Sequence, residues 1–62
     1  MNIYTVSIGV KYEGESLYTA VDDFEVAMQA KDDYLKNERG YNEWVEVSQW
    51  QNGKVVWTET FK

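Results

Sequence analysis

The sequence predicts an α+β domain of order β-β-α-β-β, with one helix packed on one face of a four-stranded mixed sheet. Three observations predict it. Only the stretch from Asp22 to Gly40 has helical periodicity, a pair of β-rich runs flanks it on each side, and glycine-containing turn chemistry joins each pair. The 62 residues form a single domain, 1–62. A chain this short buries only about 60% of the surface that its unfolded form exposes.

The first strand runs from Ile3 to Tyr12. Tyr4, Val6, Ile8, Val10 and Tyr12 point one way, and Thr5, Ser7, Gly9 and Lys11 the other. Glu13-Gly14 supplies the turn. A loop of those two residues sets Val10 against Leu17, Ile8 against Thr19 and Val6 against Val21, so apolar meets apolar. Leu17, Thr19 and Val21 then face inward, and Tyr18 and Ala20 outward.

The helix follows directly. Asp22 as N-cap with Glu25 at N3 makes a capping box, and Val21 with Val26 a hydrophobic staple. Phe24, Val26, Ala27, Met28, Ala30, Tyr34 and Leu35 share one face at about 100° per residue. Glu25, Gln29, Asp32, Asp33, Lys36 and Arg39 share the other. Asp32 and Lys36 make an i, i+4 pair. Gly40 suits a left-handed C′ position, with Tyr41 closing over Leu35.

Trp44–Gln51 and Lys54–Phe61 are the last two strands, joined at Asn52-Gly53. A two-residue loop sets Glu46 against Glu59, which is unfavourable for like charges. A three-residue loop ending at Gly53 avoids this and pairs Val47 with Trp57. That register places Val45, Val47, Val55, Trp57 and Phe61 inward, at the cost of an inward Glu59. Trp44, Glu46, Ser48 and Trp50 then face outward. A right-handed crossover allows the first and last strands to lie parallel in the middle of the sheet.

On this order of elements the chain resembles the immunoglobulin-binding repeat domains of streptococcal protein G and protein L. The resembling residues are Gly14-Glu15-Ser16, Ala20-Val21-Asp22, Phe24-Glu25 with Ala27, Leu35-Lys36, and Glu43-Trp44. The resemblance implies a hairpin-helix-hairpin fold. It also implies an immunoglobulin contact through Lys31, Glu43 and Trp44. Ala27, Met28 and Leu35 depart from the polar contact helix of that family.

Composition narrows the function. Histidine and cysteine are absent, which removes the commonest general base, the strongest nucleophile and thiolate metal ligands. No glycine-rich phosphate loop is present. Asp22-Asp23 and Asp32-Asp33 are adjacent, and neighbours on a helix diverge by about 100°. An enzyme is therefore not expected, nor any catalytic, cofactor or metal residue. The net charge of −5 disfavours direct contact with duplex nucleic acid and with anionic membranes. No basic segment followed by an apolar run marks a secretory signal, so a cytoplasmic location is the expectation.

What remains is a small acidic protein-binding module. Aromatic residues make up 16% of the chain, and outward-facing Trp and Tyr beside acids resemble a contact surface. The candidates are Trp44, Glu46 and Trp50 with Tyr18 on the sheet, and Glu25, Asp32 and Asp33 on the helix. Spaced carboxylates on a helix can imitate a phosphate backbone, as in phage-type inhibitors of nucleic-acid-handling enzymes. A basic or nucleic-acid-binding protein is the expected partner, with the chain itself a monomer or weak homodimer. The alternatives are an immunoglobulin-binding domain, a self-associating structural protein, and a single-strand binder that stacks bases on its aromatics.

Overall fold

The computed structural model describes residues 2–62. Four strands, β1 (Asn2–Val10), β2 (Gly14–Val21), β3 (Glu43–Gln51) and β4 (Lys54–Phe61), form one sheet, and one helix, α1 (Phe24–Asp33), continues into a π-helical segment, Tyr34–Glu38. The small α+β fold is as expected. The sheet itself is not mixed: its order is β2-β1-β3-β4, and every neighbouring pair is antiparallel. The centre pairs β1 with β3, not with β4. Val6 meets Val47 and Ile8 meets Val45, and all four are buried. β4, with Thr58, Glu59 and Thr60 exposed, takes an edge.

Both hairpins differ from the expected registers, and both contain a bulge. The first loop is Lys11–Glu13, with Val10 opposite Gly14 and with Tyr12 and Gly14 at positive φ. Val6 meets Thr19 and Ser7 meets Leu17, so Tyr18 is the extra residue. Inward and outward residues exchange there. Leu17 is 63% exposed on the open face, while Tyr18 turns toward the helix.

The second loop is the two-residue Asn52-Gly53 turn, both residues at positive φ as a type I′ turn requires. A shift between Gln49 and Trp50 then leaves Val56 unpaired and sets Glu46 against Thr60. The bulge thus keeps the favoured turn and separates Glu46 from Glu59. Val55 lies opposite Trp50 on the open face, contrary to expectation, whereas Trp57 and Phe61 pack on the core. Glu59 lies opposite Val47 and is exposed.

The core is Val6, Ile8, Val45 and Val47 against Ala27 of the helix. Asp23, not Asp22, caps α1, and its carboxylate accepts from the backbone N–H groups of Glu25 and Val26. The one-residue shift moves Glu25 out of N3. Val26, expected inward, is 51% exposed. Lys31, one turn beyond Ala27, is buried: its ammonium sits 4.4 Å from the Phe61 ring centroid and pairs with Asp32. Asp32 is therefore engaged by Lys31 rather than by Lys36.

The helix end also differs. Arg39 N–H bonds to the Tyr34 carbonyl at 2.7 Å, an i→i+5 closure. Gly40 is not left-handed; Asn42 is, at φ 62°. Tyr41 does not cover Leu35 and is 91% exposed. The Glu43 carboxylate holds this end, accepting from the Gly40 N–H and the Tyr34 hydroxyl.

Candidate protein-binding surface

The helix covers one face of the sheet, and the opposite face is open. Alternation along β3 sends Val45 and Val47 to the helix and Trp44, Glu46, Ser48 and Trp50 away from it. Both valines have no exposed surface. The two indoles stand six residues apart, about 20 Å along the strand. Each is only partly exposed, because each lies down on its neighbours.

Trp44 crosses the strand beside it. Gly9 is its partner on β1, and a Cβ at Gly9 would stand 2.1 Å from the indole. Only glycine leaves room for the ring to lie flat and reach β2, where the indole N–H donates to Glu15 at 3.3 Å. Trp50 is fixed at the other end by donating to the Thr5 hydroxyl at 2.9 Å. Between them a polar strip of Thr5, Ser7, Ser48 and Thr58 crosses the sheet, tied by a Ser48–Thr58 hydroxyl bond of 2.9 Å. Leu17 and Val55 add exposed apolar area on the outer strands.

Glu46 and Glu15 share this face. Burial, followed by the charge and hydrogen bonding of Glu15, pushes the Glu46 carboxyl above the ordinary carboxylate range. Local spacing brings Glu59 to Glu46, whereas the fold brings Glu15. The actual partner is set by two-strand spacing across β1, which becomes visible only once β3 is known to pair with β1.

The other candidates separate from this surface. Tyr18, expected outward, lies on the helix side, with its ring edge-on to Tyr34 at 5.2 Å and its hydroxyl donating to Glu38 at 3.1 Å. Hydrogen bonding to Glu38 raises the Tyr18 phenol above its ordinary value. Tyr34, donating to Glu43 at 2.7 Å, is pushed up to about 12, first by that hydrogen bond and then by burial. Glu43 moves down, held first by the Gly40 N–H and then by Tyr34. These tyrosines are neutral donors that staple the helix end to β2 and β3.

The acidic helix face is less free than its sequence implies. Asp23 is used as the cap, Asp32 is paired with Lys31, and Asp33 accepts from Gln29 at 2.9 Å. Glu25 remains exposed on it. Of the residues implied by the protein G resemblance, Lys31 is buried and Glu43 is held by Tyr34, leaving Trp44 at the surface.

Among the described residues no group of three acids is placed to hold a metal ion, and no helix is long and apolar enough to cross a membrane. Compared with protein-family models, with curated proteins and with solved structures, the chain matches none.

Proposed function

We propose that this chain is a non-enzymatic protein-binding module whose contact surface is the open face of its sheet. The observation that carries the reading is the division of β3: Val45 and Val47 close the core while Trp44 and Trp50 lie on the uncovered side. Tryptophan concentrates binding energy at protein interfaces, and a rigid sheet presents it at little cost in ordering. Both edge strands carry bulges, which hinder the addition of a further strand and leave the face as the better contact.

The net charge of −5 supports a basic partner, including a protein whose nucleic-acid site the chain would occupy as an inhibitor. Photo-crosslinkers at Leu17 and Val55 on the open face, and at Gln29 on the helix, test the reading. In a host lysate, with immunoglobulin added as a separate arm, the two sheet positions should form protein adducts and Gln29 should not. Adducts from Gln29 alone would move the contact to the acidic helix face. No protein adducts from any position would sink the reading.

A further inference from the structure

The open face carries more than two indoles. Glu15 and Glu46 both stand on it, and the Trp44 indole lies alongside, bonded to Glu15. Among the described residues no salt bridge reaches either carboxylate, although Lys11 and Lys62 line the shallow cavity on another side of Trp44. The salt bridge found is Lys31 with Asp32, on the covered side of the sheet, and the Lys11 ammonium lies over the Tyr12 ring at 5.3 Å. Glu46 is half-buried and Glu15 exposed, and the register sets them on either side of β1, where two carboxylates oppose each other's ionisation.

We infer that the occupant of the open face is a protein segment that presents an arginine or lysine to Glu15, Glu46 and Trp44. This rests on the open face being the contact surface. An incoming guanidinium relieves the repulsion between the carboxylates, donates hydrogen bonds to both, and lies against an indole suited to cation–π contact. The other occupants fit less well. A second copy docked face to face would bring four carboxylates together. A single-stranded nucleic acid stacked on Trp44 would set phosphates near Glu15 and Glu46.

Size is also consistent. The backbone measures 34 × 22 Å along its two longer axes, and a standard interface takes about 800 Å² from each partner.

The test is an NMR titration with a blocked peptide of alternating valine and arginine, alongside its citrulline counterpart and a thymidine oligonucleotide. Citrulline keeps the shape of arginine and removes the charge. The arginine peptide should shift the Trp44 indole N–H and the amides of Glu15 and Glu46. The citrulline peptide should bind at least about tenfold more weakly, the scale of one charge-assisted hydrogen bond. Glu15→Gln with Glu46→Gln should weaken the arginine peptide by a similar factor. The far-UV spectrum of that variant should be unchanged, because the substitutions remove repulsion and leave the core intact.

Equal binding of the two peptides, preference for the oligonucleotide, dimerisation through this face in sedimentation, or no shift with the arginine peptide would each overturn the inference. Adducts at Leu17 and Val55 with no effect of the Gln substitutions would remove the inference and leave the docking face standing. Absence of those adducts would remove both.

Discussion

The two faces of the sheet are built from the same strands and do opposite work. On the covered face Val6, Val45 and Val47 have no exposed surface and pack on Ala27. On the open face the intervening residues are a mixture of Trp44, Trp50, hydroxyls and a carboxyl pair. The covered face is uniform because it has only to exclude water. The open face is mixed, and its larger side chains are immobilised by Gly9, Glu15 and Thr5. In the proposed docking, that pre-ordering would lower the entropy lost.

Substitutions sharpen the contrast. Val47→Ala should have the largest effect, a loss of about 2–3 kcal/mol in urea unfolding, because a fully buried side chain is truncated next to a helix that cannot collapse onto the gap. A neutral result would show that the covered face is not the core. Gly9→Ala comes next, at about 1–3 kcal/mol, since the added methyl drives Trp44 off the sheet. Near-UV circular dichroism should change with it. An unchanged spectrum would mean that the indole does not lie over Gly9.

At the helix end on the covered side, Tyr34→Phe should cost about 1 kcal/mol through the lost hydrogen bond to Glu43. In the parent protein the Tyr34 contribution is present below the ordinary tyrosine pKa and is lost as pH rises through about 12. Spectroscopic titration should therefore find Tyr18 and Tyr34 both titrating late, and the Phe variant should lack the step near 12.

Glu46→Gln should have the smallest effect, and of opposite sign. The Glu46 carboxyl titrates above its unfolded value, so its contribution is fully present below the ordinary glutamate pKa and lost as pH rises through the folded value. The Gln variant should gain slightly at neutral pH and lose that slope. Destabilisation at neutral pH would show that Glu46 is not under repulsion.

The legible part of the fold was whatever a short stretch decides. The Asp-rich start of the helix, the position of a turn at Asn52-Gly53 and the alternation of β3 follow from local spacing, and the parity of Val45 and Trp44 holds, although the cap is Asp23 rather than Asp22 and the loop has two residues rather than three. Strand order was not legible, because it depends on which apolar segments meet across the whole chain. The bulges at Tyr18 and Val56 were not legible either. Each inserts one residue without a glycine or proline to mark it, and each exchanges the two faces for the residues beyond it. That is why Tyr18, Leu17 and Val55 were placed on the wrong sides. The like-charge clash of Glu46 with Glu59 was a real signal, and the chain resolves it by a bulge rather than by a longer loop.

The two-face account is tested most directly by nuclear Overhauser contacts in the free protein. The methyls of Val45 and Val47 should show contacts to Ala27, and the Trp57 ring should show contacts to Phe24, whose ring centroid is 6.0 Å away. The indoles of Trp44 and Trp50 should show contacts to Gly9 and Thr5 and none to the helix. Contacts from either indole to Ala27 or Met28 would contradict the account, since the proposed docking face would then be the core.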